Sequence, residues 1–347
     1  MIIGKHTISK KHKPFIVAEM SGNHNRSLDR AIKIVEAAAE SGAHMLKLQT
    51  YTPDTLTINS KNSDFLISDS KSLWKGKTLY DLYKEAYTPW EWHEKIFKRC
   101  NELSMLCFST PFDETAVDFL EKLNVPAYKI ASFENIHLPL IKKVAQTGKP
   151  VIISTGLAIE TEIEEAVEAL KIGGCKQFCL LKCTSAYPAS PENSNILTIP
   201  DLRKKFNCEV GLSDHTLGIG VALAAISHGA TIIEKHFTLD RNDGGVDSSF
   251  SIEPKEMKIL VKESIRTWQS LGKISYGPTE SEKDGIKFRR SIYIVEDIDS
   301  GEKLTKEKIR IIRPGKGLAP KYYNELLGLR VNQKIKKGTA LTWDKLE

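Results

Sequence analysis

The sequence predicts an α/β protein. A (β/α)8 TIM barrel over residues 1–275 is followed by a linker at 276–287 and a small β domain at 288–347. Three observations carry this. Short apolar runs alternate with helical patterns, the runs number eight and end in polar residues, and the chain changes character after residue 288.

The eight runs are FIVAEM (15–20), MLKLQT (45–50), MLCFST (105–110), AYKIAS (127–132), VIISTG (151–156), FCLLKC (178–183), EVGLSD (209–214) and TIIEKHF (231–237). Between them stand helical patterns such as LDRAIKIVEAAAESG and DETAVDFLEKLN, so the apolar period switches repeatedly between 2 and 3.6. Strand–helix alternation means a parallel sheet, and a count of eight favours closure into a barrel. No dinucleotide-binding glycine fingerprint follows the first run. The longest insertion, 51–93, carries Trp74, Tyr80, Tyr83, Tyr87, Trp90 and Trp92. A lid over the site and aromatic packing on the barrel both fit it. KEMKILVKESIRTWQSLG (255–272) supplies the last barrel helix, and the Gly-, Pro- and charge-rich KISYGPTESEKDG the linker. The final segment repeats itself: GEKLTKEKI (301–309) matches GTALTWDKL (338–346), which points to a pseudo-symmetric β module with a core too small to stand alone.

Composition bounds the function. Hydrophobic residues at 41% and charged residues at 27% suit a packed core rather than disorder. The net charge of +6 is scattered, which fits anionic small molecules and gives nucleic acid no basic stripe. Six cysteines without a Cys-x-x-Cys pair read as reduced thiols. MIIGKHTISKKHK lacks a signal-like apolar stretch, and no run is long enough to span a membrane. These readings place the chain in the cytoplasm.

The run ends bring chemistry to one rim, where barrel enzymes keep their active sites. His215 and His236 follow neighbouring strands, and Glu234 shares a strand face with His236 as Ser213 does with His215. The two imidazoles suit either a divalent cation with open positions or ordinary hydrogen bonding at a polar rim. Lys47 and Lys129 interrupt apolar runs, so each needs an anion nearby: a barrel carboxylate or a bound phosphate or carboxylate. Thr110, Ser132, Ser154, Thr184 and Ser213 add hydroxyls that would complete an anion cradle. Glu19 and Glu134 are candidate acid–base carboxylates that could equally pair with the lysines.

Taken in order, AEMSGNHN (18–25), LKLQTY (46–51), STPFD (109–113), YKIAS (128–132), STG (154–156), TSAYP (184–188), GLSDHT (211–216) and IEKHFTLDR (233–241) resemble the sialic acid synthase family. KIRIIRPGKGL (308–318) resembles the antifreeze-like (SAF) domain that ends those enzymes. The resemblance implies condensation of phosphoenolpyruvate with an amino sugar, with one divalent metal, Mn2+ or Mg2+ (Co2+ also serving), on His215 and His236. It implies Glu19, Glu134 and Glu234 as catalytic carboxylates. Lys47, Thr110, Lys129, Ser132, Ser154, Thr184 and Ser213 map to the phosphoenolpyruvate cradle, with Asn usual in relatives at the Thr184 position. Gln49, Tyr187 and Asp247 map to the sugar, joined by Arg313 from the partner subunit of a domain-swapped homodimer. His24 maps to a structural turn.

Two departures from N-acetylneuraminate synthases narrow this further. Arg26 follows the Asn-His-Asn turn, and Val246-Asp247-Ser248 follows the eighth strand. They resemble the pseudaminic-acid-forming branch, with 2,4-diacetamido-2,4,6-trideoxy-L-altrose as sugar and flagellin glycosylation or another bacterial surface glycan as destination. N-acetylneuraminate or legionaminate synthesis is the alternative within the family. A carbohydrate-binding protein, or a metal-dependent aldolase or hydrolase, is the alternative of another class.

Overall fold

The computed structural model describes residues 1–69 and 72–347. The chain divides into two compact units, Met1–Gly272 and Lys273–Glu347.

In the first unit eight parallel strands close into a barrel. They are β1 (Phe15–Glu19), β2 (Met45–Thr50), β3 (Leu106–Pro111), β4 (Tyr128–Ile130), β5 (Val151–Ser154), β6 (Phe178–Cys183), β7 (Glu209–Asp214) and β8 (Ile232–His236). Their order around the barrel is sequential, and β8 pairs with β1 to close it. Each strand lies on one of the apolar runs, with bounds that agree to within two residues.

Both strand faces are buried, for different reasons. On β1, Ile16 and Ala18 face outward into the layer shared with the helices, while Phe15 and Val17 join the barrel interior. The interior continues with Met45, Phe108, Ala127, Ile152, Cys179, Leu181 and Ile232, one from nearly every strand. Ile3 and Ile8, from the N-terminal hairpin, belong to this same cluster. Two residues further along the inward face the apolar layer gives way to Glu19, Lys47, Thr110, Lys129, Ser154, Ser213 and Glu234. Polar groups are thus confined to the C-terminal end of the barrel, above a dry plug.

Most helices that follow the strands are amphipathic, and some carry side-chain caps. Ser27 caps α1 (Leu28–Glu40) by accepting from the Arg30 backbone N–H, and Asp113 caps α3 (Glu114–Lys122) through Thr115 and Ala116. Between them α2 (Trp90–Glu102) packs Ile96 and Cys100 into the outer core. The insertion after β2 therefore ends at Pro89 rather than 93. Trp90 stacks on Phe119 at 4.7 Å and Trp92 packs against the barrel's outer core, so these two tryptophans are helix packing rather than lid. The rest of the insertion carries short helices at Pro53–Leu56 and Leu79–Ala86. Ser70 and Lys71, inside it, lie outside the described residues. The closing barrel helix, Pro254–Ser270, covers most of the stretch expected for it.

The second unit begins with a 3-10 helix at Glu280–Phe288 and pairs β9 (Ser291–Ile294) with β10 (Ile309–Ile312) antiparallel. Its own core holds Ile292, Ile294, Ile298, Leu304, Ile309, Leu326, Val331, Ile335 and Leu341. The internal repeat is visible in that core. Leu304 and Leu341, equivalent in the repeat, are both fully buried, and the repeat's two glycines, Gly301 and Gly338, both take left-handed backbone at φ 77° and 86°.

Candidate active site

The inward-facing polar layer forms the floor of a cavity of about 430 Å³ at the C-terminal end of the barrel. Its centre is a buried ionic network. Lys47 Nζ stands 3.1 Å from Glu19 Oε2, 3.4 Å from Glu234 Oε1 and 3.4 Å from Thr110 Oγ1. Lys129 Nζ donates to Ser154 Oγ at 2.6 Å and lies 3.5 Å from Glu234 Oε1, which also accepts from Ser213 Oγ at 3.1 Å. Both lysines and both glutamates are buried. Burial pushes the Glu19 carboxyl up against the pull of Lys47. Glu234, equally buried, is held below the usual carboxylate range because Lys129 and Lys47 outweigh that burial. The cradle thus contains a carboxylate anchor, Glu234, shared by two lysines: Glu19 and Glu234 hold Lys47 above its ordinary value against its burial, whereas burial pulls Lys129 below its own against Glu234.

Around this floor stand the hydroxyls. Ser132, Ser154 and Ser213 line the cavity together with Lys47 and Lys129. Ser132 Oγ accepts from the Gly156 backbone N–H at 3.2 Å. A Cβ at Gly156 would meet Ser185 Oγ at 2.3 Å and Ser132 Oγ at 2.6 Å, so glycine lets the two loops close on the floor.

On the far side, His215 and His236 both line the cavity with ring centroids 5.2 Å apart. His215 Nδ1 lies 3.0 Å from the Thr184 carbonyl. A carbonyl only accepts, so Nδ1 carries the hydrogen and Nε2 is the nitrogen left to face a ligand, while contacts with Cys183 and the Thr184 carbonyl hold the ring above its ordinary value against its burial. Burial, reinforced by the positive charges nearby, pushes His236 well below its ordinary value and keeps it neutral. Its Nδ1 is buried with no hydrogen-bond partner, 3.8 Å from Asp247 Oδ2. A buried, neutral, unpartnered imidazole nitrogen beside a second free imidazole fits a divalent cation, and the Thr184 carbonyl orients one ring as outer partners of metal-bound histidines do. Among the described residues no three His, Cys, Asp or Glu side chains gather as a ready metal cluster. Two histidines therefore leave most positions on a cation to water and substrate.

Tyr187 packs over this pair, 4.6 Å from the His215 ring, and Phe250 backs His236 at 4.9 Å. Asp247 accepts from Ser21 Oγ, and Ser21 in turn accepts from Gln49 Nε2 at 3.1 Å. Gln49 Nε2 also donates to Glu19 Oε1 at 2.9 Å. A polar chain thus links the lysine side of the floor to the histidine side. Glu134 lines the cavity with Oε2 buried and unpartnered, and burial pushes its carboxyl up to about 7 against the pull of Lys129.

Several of the expected residues stand back from the cavity. Glu19 is wholly buried, with Lys47 and Gln49 bonded to its two oxygens, and Thr110 likewise reaches Lys47 without lining the cavity. The Thr184 hydroxyl turns away and donates to the Asn193 carbonyl. The neighbouring Cys183 lines the cavity in its stead, 3.8 Å from His215 Nδ1. Its position was legible, since it continues the inward face of Cys179 and Leu181 by the period of two. His24 is buried, accepting from the Arg26 backbone N–H and meeting Thr88, away from the histidine pair. Arg313 lies in the second unit, exposed, directly after β10. Sequence reasoning did not place Ser21 and Phe112, which line the cavity from loops without a strand register to mark them, and Tyr83, named in the insertion, lines it from the helix Leu79–Ala86.

The chain is 42% identical to the pseudaminic acid synthase of Campylobacter jejuni subsp. jejuni over 98% of either chain. It is 42% identical to the pseudaminic acid synthase of Helicobacter pylori over 96% of this chain and 98% of the other. Among solved structures it resembles the N-acetylneuraminic acid synthetase of Leptospira borgpetersenii, crystallised with citrate. The TM-score is 0.73 at 32% identity, over 83% of this chain and 95% of that one. Residues 289–347 match the SAF domain. Residues 34–276 match the NeuB family, and the chain belongs to it.

Proposed function

We propose that the chain is a pseudaminic acid synthase. It joins C3 of phosphoenolpyruvate to the aldehyde carbon of open-chain 2,4-diacetamido-2,4,6-trideoxy-L-altrose. Water adds at C2, and phosphate leaves with cleavage of its C–O bond. The observation that carries the reading is the full-length likeness to two pseudaminic acid synthases. The site supports it chemically, because a lysine–serine cradle and a histidine pair share one cavity floor.

In this reading Lys47 and Lys129, held by Glu234, neutralise the phosphate and carboxylate of phosphoenolpyruvate, and Ser132, Ser154 and Ser213 donate to its oxygens. Glu19 acts behind them, orienting Lys47 and Gln49. Gln49, Tyr187 and Asp247 hold the sugar. His215 and His236 would hold the divalent metal, Mn2+ or Mg2+, which supplies Lewis-acid polarisation of the aldehyde when bound. Glu134, protonated until about neutral pH, returns a proton to the aldehyde oxygen as it becomes a hydroxyl. Glu234, anchored by two lysines, stays ionised beside the carbon that takes up water.

The active unit is proposed to be a domain-swapped homodimer in which Arg313 of the partner subunit meets the sugar. The loops after β4, β5, β6 and β7 support a covered rim. Phe133, Ile136, Leu157, Ile159, Leu197 and Leu217 on them are all more than half exposed in the single chain. No helix among the described residues is long and apolar enough to cross a membrane.

The test supplies phosphoenolpyruvate and Mn2+ and measures phosphate release with the L-altro diacetamido sugar and with N-acetylmannosamine. Selective turnover of the former is expected. Preference for N-acetylmannosamine would refute the sugar assignment.

A further inference from the structure

The cavity has two unlike halves. Its floor is ionic, while the wall built by the insertion after β2 is largely apolar: Leu56, Ile67, Trp74, Leu79, Leu82 and Ala86. Asp69, Ser72 and Tyr83 are that wall's polar members. None of the chemistry above uses the wall. A closed barrel needs no such wall for its own core, since its outer and inner clusters contain none of these six residues. The wall is nonetheless fixed in place. Trp74 Nε1 donates to the Val246 carbonyl at 2.9 Å, beside Asp247, and its ring lies 6.0 Å from Tyr187. Through Tyr187 the wall meets the histidine pair. It therefore borders the side of the cavity where the sugar would sit.

We propose that this wall is the specificity-determining surface for the sugar, taking its deoxy methyl and acetamido methyl groups and disfavouring a hydroxyl there. The inference rests on the proposed reading of the site. Leu56, Ile67, Leu79, Leu82 and Ala86 carry no side-chain donor or acceptor, so a hydroxyl turned toward them exchanges water for nothing. A methyl group in the same place is removed from water at no polar cost. Hydrophobic pockets reject an added hydroxyl by roughly 100-fold at most, which bounds the effect.

The experiment compares 2,4-diacetamido-2,4,6-trideoxy-L-altrose with its 6-hydroxy analogue in the full chain with phosphoenolpyruvate and Mn2+. In the unmodified protein the deoxy sugar should be favoured in kcat/KM by about 10- to 100-fold. Leu79→Asn, similar in size but polar, should cut that preference at least roughly tenfold. Trp74→Ala should raise the sugar KM by a similar factor while leaving the phosphoenolpyruvate KM unchanged. Trp74→Phe keeps an aromatic face without the indole N–H and should hold the sugar KM within about threefold. The unchanged phosphoenolpyruvate KM shows that the floor has survived the substitution. If both variants retain the starting preference and sugar KM, the wall is not the selector, and the synthase reading stands. If the unmodified protein prefers N-acetylmannosamine, the synthase reading falls and takes the wall's assignment with it.

Discussion

Replacing Lys47 with Met tests the ionic floor directly. Lys47 Nζ lies 3.1 Å from Glu19 and 3.4 Å from Glu234, and all three groups are buried. At an effective dielectric of about 20, each contact corresponds to roughly 5 kcal/mol of gross attraction. Much of that returns when no ammonium has to be stripped of water, and removing one partner of a buried pair leaves a net cost of roughly 3–5 kcal/mol. Which carboxylate bears the loss follows from the remaining contacts. Glu234 keeps Lys129 at 3.5 Å and Ser213 at 3.1 Å, whereas Glu19 keeps only the Gln49 amide at 2.9 Å. The variant should therefore unfold more easily chiefly because of Glu19.

This assignment has a pH signature. Burial already raises the Glu19 carboxyl, and Lys47 is the counterweight. Without Lys47 its folded value rises further above that of the unfolded chain. Stability is then full below the ordinary carboxyl range and is lost as pH rises through the elevated folded value. Urea midpoints followed by circular dichroism at pH 5 and pH 8 should show a clearly smaller cost for Lys47→Met at the lower pH. Adding Glu19→Gln should recover most of the loss at pH 8, a non-additivity expected of groups in contact. A cost equal at both pH values, and additive with Glu19→Gln, would refute the reasoning.

Three further outcomes follow from the same geometry. Glu134, pushed up to about 7 by burial, should give kcat/KM a limb that falls as pH rises past about 7, and Glu134→Gln should remove it. The same group's contribution to stability is full below the ordinary carboxyl value of 4.5 and lost through about 7, so that variant should also flatten the denaturation midpoint across this range. His236→Ala should abolish Mn2+ binding measured by titration calorimetry while the circular dichroism spectrum is retained; undiminished binding would remove His236 from the metal site. Gly156→Ala places a methyl group against Ser185 and Ser132, and should raise the phosphoenolpyruvate KM at least tenfold (about 1.4 kcal/mol) with the sugar KM little changed.

The barrel was legible because its strands are buried on both faces and alternate with mostly amphipathic helices. FCLLKC and EVGLSD coincide residue for residue with β6 and β7. The alternation along them also decided which side chains turn inward, and so brought Lys47, Lys129, Ser154, Ser213, Glu234, His215 and His236 to one end. What periodicity could not decide was depth along that inward face. Glu19 and Lys47 are neighbours across β1 and β2, yet only Lys47 reaches the cavity, since Glu19 is wholly buried with Lys47 and Gln49 on its oxygens. Nor did the polar character of a strand end decide which side chain faces inward: Thr184 is out of phase with the inward residues Cys179 and Leu181. Thr184, one step beyond β6, turns its hydroxyl to Asn193 and offers the rim only its carbonyl, while Cys183, still in register, faces inward.

The insertion shows the limit from another side. Its aromatic residues were visible at once, but two roles were mixed within one stretch of sequence. Trp90 and Trp92 begin a regular helix and pack on the barrel, with Trp90 on Phe119, whereas Trp74 and Tyr83 line the cavity. Separating the two required the helix start at Trp90, whose preceding Pro89 fixes the entry of the chain but makes no side-chain cap that a sequence pattern would reveal. The consequence is functional. Floor residues lie on strands, where a one-residue slip would turn the whole face outward, so their chemistry is tied to the fold itself. Wall residues lie on the short helices and loops of an insertion anchored through contacts such as Trp74 to Val246. The barrel can therefore keep one condensation chemistry while the insertion changes the sugar it accepts, and substitutions in the wall should shift sugar KM and preference without touching the phosphoenolpyruvate cradle.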